Sequence, residues 1–134
     1  MALGATVYVC PGLGRYLRVY GVEAWEGYTQ SLLETVPRGA GRYRDILRHA
    51  PGNAVEAKID PQHRLVIPRE LLDWAQLPPE TEADAREVLL VGAADCVEIW
   101  NPACYETRTQ TAQTDVEKLW DELVDQATPG QKGP

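Results

Sequence analysis

The chain has 134 residues, room for one domain with a hydrophobic core or for two small, closely packed repeats. Its formal charge of −7 excludes a uniformly basic nucleic-acid binder. The charge is uneven, however, with a net −1 over residues 1–37, +4 over 38–69 and −10 over 70–134, so a positive surface can come only from the middle of the chain.

Residues 1–4 are expected to fray. Val7–Val9 and Arg15–Tyr20 read as two short strands joined by a Pro11-Gly12-Leu13-Gly14 turn. Val22–Thr35 follows as a helix, with Val22, Trp25, Tyr28 or Thr29, and Leu32 at helical spacing. Arg38–Ala50 reads as an amphipathic linking helix. Tyr43, Ile46, Leu47 and Ala50 share one face, and Arg42, Arg44 and Arg48 lie elsewhere.

The next stretch, Ala54–Asp73, is the most informative. Val55, Ala57 and Ile59 alternate with Glu56, Lys58 and Asp60, the period of a half-buried strand. Asp60 and Pro61 then make a turn, since Asp hydrogen-bonds backbone further on and Pro presets φ. Leu65-Val66-Ile67 resumes as a second strand, and Pro68 ends it and opens a helix carried by Leu71, Leu72 and Ala75. Gln62, His63 and Arg64 are left at the tip.

Glu80–Asp84 reads as a solvated acidic loop. Val88–Val91, a turn at Gly92–Asp95, and Cys96–Trp100 form another hairpin, and Asn101 caps a helix whose first residue is Pro102. The strand-strand-helix order of residues 7–35 thus recurs, with Leu17, Val19, Tyr20, Trp25 and Glu26 standing opposite Val97, Ile99, Trp100, Tyr105 and Glu106 as a degenerate internal repeat. The last helix is expected to run from Pro102 to Gln126, with Tyr105, Thr109, Ala112, Val116, Leu119 and Leu123 as a heptad seam. That seam suits either a coiled coil or packing within the same molecule. Residues 127–134, ATPGQKGP, read as a disordered tail.

Asp60, Arg64 and Pro68 fit the pattern D-x-x-x-R-x-x-x-P, and with Arg86–Glu106 as a closing hairpin and helix the chain resembles the MraZ family of the SpoVT/AbrB swapped-hairpin group. The resemblance runs from about Val7 to Trp120. It implies an α+β fold, a swapped-hairpin AbrB-like β-barrel built from two unequal repeats with flanking helices. Residues 1–50 would form a truncated or degenerate first repeat with its linking helix, 51–126 a complete repeat, and 127–134 the tail. It departs from the family at His63, where Gly is usual, and at the start, where no intact D-x-x-x-R hairpin precedes Val7. An alternative alignment reads Gly4-Ala5-Thr6 and Gly14-Arg15 as a damaged first motif, with Pro11 in place of its Asp.

The enzymatic inventory is poor. Ser31 is the only serine and lies in a helical pattern; His49 and His63 are the only histidines, and they make no zinc spacing with the cysteines. Cys10, Cys96 and Cys104 are odd in number, without C-x-x-C or signal peptide, and are expected to be reduced thiols. Catalytic residues, metal and cofactor are therefore expected to be none. No apolar run reaches membrane-span length.

The resemblance instead implies a regulator, in the repressing sense, that holds double-stranded DNA through the Asp60–Arg64 turn, as a ring-like homo-oligomer on promoter repeats, in the cytoplasm and nucleoid. Arg64 is the leading contact, a planar fork for phosphate or the guanine O6/N7 edge. Lys58 and Arg69 would clamp phosphates, and Gln62 and His63 would read bases or backbone. His63 could also tie binding to pH, because imidazole charges on mild acidification. Asp60, Pro61 and Pro68 shape the turn. The competing reading is an oligomeric scaffold that has lost DNA binding, in which Arg64 merely pairs with Asp60 at the surface and contributes little. A third is an antitoxin-like module whose acidic tail engages a protein.

Overall fold

The computed structural model describes residues 5–39, 41–77, 87–112 and 115–127. The frayed start, the acidic loop at Glu80–Asp84, Arg86, the Ala112 side chain of the seam and the tail beyond Ala127 lie outside them. β1 (Thr6–Pro11) and β2 (Leu17–Gly21) pair antiparallel, with Val9 opposite Val19 and Cys10 opposite Arg18. The loop between them is longer than the expected turn, because Tyr16 leaves the strand to stack on Trp100 at 4.4 Å. Its backbone is closed by Gly12 N donating to Tyr16 O at 2.7 Å.

α1 (Val22–Thr35) has the expected bounds. It stops at Val36, whose extended geometry is what a following proline demands. The expected linking helix is shorter: a 3-10 turn at Gly41–Tyr43 leads into α2 (Arg44–His49). Gly39, at φ 81°, and Gly41 weaken any earlier start. A second 3-10 turn, Pro51–Asn53, delivers β3 (Val55–Lys58) to the outer edge of β1, with Val7 opposite Ala57.

α3 (Arg69–Trp74) begins directly after Pro68. The strand expected at Leu65–Ile67 does not form. Beyond Asp60 N donating to Arg64 O at 3.0 Å, this segment has no backbone ladder to β3 among the described residues. Leu65 and Ile67 instead turn their side chains onto the core, while Val66 is 84% exposed. β4 (Leu89–Gly92) and β5 (Val97–Trp100) form the second hairpin. α4 (Pro102–Ala112) and α5 (Val116–Ala127) replace the single long helix. Asp115 is a turn residue whose carbonyl accepts from Leu119 N at 2.8 Å, opening α5.

The result is a mixed α/β fold on an open, antiparallel five-stranded sheet in the order β3-β1-β2-β5-β4. Strand alternation sends residues to opposite faces. On one face Val7, Val9, Leu17, Val19 and Ile99 pack with Leu71, Ala75 and Leu77 of the α3 region. Full burial of each such aliphatic is worth about 1.5–3 kcal/mol, so this layer fixes the sheet and holds the Asp60 turn at its margin. On the other face Cys10, Tyr20 and Cys96 are covered by Ala24, Trp25 and Tyr28 of α1.

The chain divides into two compact units, one ending at Pro102 and one starting at Ala103. Within the second, α5 exposes Val116, Leu119, Trp120 and Leu123 on one side. No helix among the described residues is long and apolar enough to cross a membrane.

Candidate nucleic-acid interface

The site is a turn that hangs from one carboxylate. Asp60 Oδ1 accepts from the backbone N–H groups of Gln62 at 2.9 Å and Arg64 at 2.8 Å. Its backbone carbonyl accepts from His63 N at 2.9 Å. Oδ2 then takes the Arg64 Nε hydrogen at 2.7 Å. A short acceptor that reaches backbone donors two and four residues on makes Asp the residue for this position. The same bonds favour the ionised carboxyl. The Arg64 backbone N–H is the largest cause and the guanidinium the next, and together with Gln62 they hold Asp60 below its ordinary value.

Arg64 is therefore aimed rather than loose. Its Nη2 donates to Gln62 Oε1 at 2.6 Å, and its side chain is still 73% exposed. Nη1 has no partner among the described residues, so the fork keeps donor capacity for an incoming anion. His63 occupies the left-handed region at φ 63° and is exposed. This is the conformation in which glycine is cheapest.

Lys58, at the end of β3, and Arg69, at the start of α3, are both exposed, flank the turn in sequence and share no hydrogen bond with it. Of the residues expected to act together, the structure joins Asp60, Gln62 and Arg64 through their side chains and His63 through its backbone N–H, and leaves the side chains of Lys58, His63 and Arg69 as separate exposed groups around them.

Two further clusters were not expected from the sequence. A surface cleft of about 430 Å³ lies between Pro11, His49, Val55, Pro68 and Trp74. Its polar edges are engaged: His49 Nε2 meets Gly12 O at 2.7 Å, Trp74 Nε1 donates to Gly14 O at 2.8 Å, and Arg15 lies 3.9 Å over the Trp74 ring. The second is a half-buried arginine among tyrosines. Arg18 donates to Tyr20 Oη at 3.3 Å and Tyr16 Oη at 3.1 Å and sits near the Tyr28 ring. Burial opposes its charge, but the two tyrosine oxygens more than offset that, and it stays protonated. Burial also pushes the neighbouring thiols up, Cys10 to about 12 and Cys96 to about 11. Strand alternation carries the only sequence signal of this cluster, since Arg18 shares a face with Tyr20. No group of three or more metal-ligating side chains forms among the described residues.

The antiparallel sheet of two hairpins with an acid-capped arginine turn at its margin defines a mixed α/β protein with an exposed presenting loop. The family described as "MraZ protein, putative antitoxin-like" matches residues 51–126, and the chain belongs to the MraZ family. Among its relatives, the transcriptional regulator MraZ of Thermoanaerobacter sp. (strain X514) is 28% identical over 92% of this chain and 80% of its own length. That of Leuconostoc citreum (strain KM20) is 29% identical over the same shares. The transcriptional regulator MraZ of Desulforamulus reducens (strain ATCC BAA-1160 / DSM 100696 / MI-1) is 29% identical over 92% of this chain and 81% of its own.

Proposed function

We propose that the chain is a DNA-binding transcriptional regulator of the MraZ type, acting as a repressor in the cytoplasm and nucleoid without a cofactor. The observation that carries this reading is the Arg64 guanidinium, presented at an exposed tip and pre-aimed by Asp60. Arg64 would contact phosphate or guanine in the major groove, with Gln62 and His63 beside it and Lys58 and Arg69 on the flanking phosphates. A single turn makes few contacts, so useful affinity requires several turns on a homo-oligomer facing repeated promoter sites. Residues 51–126 would be the complete repeat and 1–50 the degenerate one, and assembly would close the open sheet into the swapped-hairpin barrel. Fluorescence anisotropy with DNA from upstream of the protein's own gene, for the wild type and Arg64→Ala at two salt concentrations, tests it.

The bonds from Arg64 back to Asp60 and Gln62, together with the net charge of −7, favour a second reading, a scaffold that keeps the assembly and has lost DNA binding. An oligomer without DNA affinity at low salt would select it.

A further inference from the structure

The side chains at the tip of the Asp60 turn are coupled before any ligand arrives. Asp60 Oδ1 caps the backbone N–H groups of both Gln62 and Arg64, which fixes the two residues relative to one another. Asp60 Oδ2 holds Arg64 Nε at 2.7 Å, and Arg64 Nη2 donates to Gln62 Oε1 at 2.6 Å. Both residues are exposed, so their contact lies where a partner would reach the turn.

That contact changes what the glutamine offers. A free glutamine amide carries a donor and an acceptor, and it reads adenine with both, accepting from N6 and donating to N7. Here the oxygen is already bonded to a guanidinium, whose positive charge repels a further donor brought beside it. The polar groups left over are Gln62 Nε2 and Arg64 Nη1, which have no partner among the described residues and are donors alone. We propose that Gln62 is a specificity-determining residue of the turn: with its acceptor taken by Arg64, the two side chains act as one donor-only reader that rejects adenine and takes a base edge presenting acceptors side by side.

Such an edge in the major groove is guanine O6 with N7, or either of them next to the O4 of a neighbouring thymine. A phosphate also presents only acceptors, but it is the same at every base step, so dependence on sequence separates the two. Base preference is then a property of the pair. Removing Arg64 returns an acceptor to Gln62, and is expected to move the preference toward adenine as well as to weaken binding.

The inference rests on the DNA-binding reading proposed above and assigns its base preference. Duplexes carrying each of the four base pairs in turn at every position of the bound site are compared by fluorescence anisotropy at low salt, for the wild type, Arg64→Ala and Arg64→Ala with Gln62→Met. At one position the wild type is expected to bind a duplex with adenine roughly tenfold more weakly than one with guanine. Arg64→Ala is expected to bind more weakly throughout and to lose or reverse that order, and the double variant to show no preference there. In the free protein, Arg64→Ala is expected to shift the Gln62 side-chain amide resonances, a readout that does not depend on the variant's affinity. A wild type that binds no DNA overturns both the DNA-binding reading and this inference. Wild-type binding without base dependence, Arg64→Ala with the wild-type order, or unmoved Gln62 amide resonances would each overturn this inference alone and leave the pair as a phosphate contact.

Discussion

Arg18 and Glu98 stand directly opposite one another on β2 and β5. The internal repeat expected from the sequence sets Leu17 and Val19 opposite Val97 and Ile99, which would make Arg18 and Glu98 equivalent positions as well. The register Leu17 to Ile99 and Val19 to Val97 then makes the strand pair locally two-fold about that point. The two residues do not bond each other: Arg18 donates to tyrosine hydroxyls and Glu98 accepts from Trp100 Nε1 at 2.9 Å.

That division of partners predicts unequal mutational costs. Arg18→Ala strips two tyrosine hydroxyls of a charged donor and removes a packed stem, and is expected to cost about 1–3 kcal/mol in urea unfolding. Glu98→Gln, which keeps an acceptor for Trp100, is expected to cost less than about 0.5 kcal/mol. Equal losses would mean that the pair acts as an ion pair.

At the turn, His63→Gly should relieve a side chain held at φ 63° and raise stability by about 0.5–1 kcal/mol, the larger steric gain being partly offset by the freedom glycine adds to the unfolded chain. His63→Val, branched at Cβ, should have the opposite effect. Chemical denaturation of the three proteins checks the order.

Asp60 gives the turn a pH dependence of known sign. Its folded pKa is depressed, so its contribution is present above the ordinary value of 3.8 and is lost as pH falls through the lower folded value. The amide resonances of Gln62 and Arg64 should therefore shift together, and only below the ordinary carboxylate value, and Asp60→Asn should leave the backbone bonds while freeing the Arg64 Nε. Independent titration of the two amides would contradict the shared cap.

The thiols behave oppositely. Cys10 is raised from 9.0 to about 12, so the folded state holds its proton after the unfolded chain has lost it. Stability is unaffected by this group below pH 9 and falls between 9 and 12. Cys10 and Cys96 should resist a thiol reagent in the native protein, leaving partly exposed Cys104 to react first.

Elements with strong local signals were readable from the sequence. Val22–Thr35 and the Val97–Trp100 hairpin strand follow from apolar period and from Pro and Gly at their ends. Leu65–Ile67 was misread because its composition is that of a strand, whereas a strand needs a ladder partner, which no local pattern supplies. The Asp60 cap could be anticipated from a short acceptor before Pro61; the bond from Arg64 Nη2 to Gln62 could not, since side-chain direction depends on the turn's final φ and ψ. Tyr16 left its strand because its ring found Trp100, a partner far away in sequence.

DNA binding through Arg64 is read most directly from the salt dependence of affinity for DNA from upstream of the protein's own gene, for wild type and Arg64→Ala. Wild-type binding that weakens with salt, and a variant that binds far more weakly with its salt slope reduced by about 1 for each turn engaged, are predicted. Equal binding by both proteins, or none by the wild type at low salt, would contradict it.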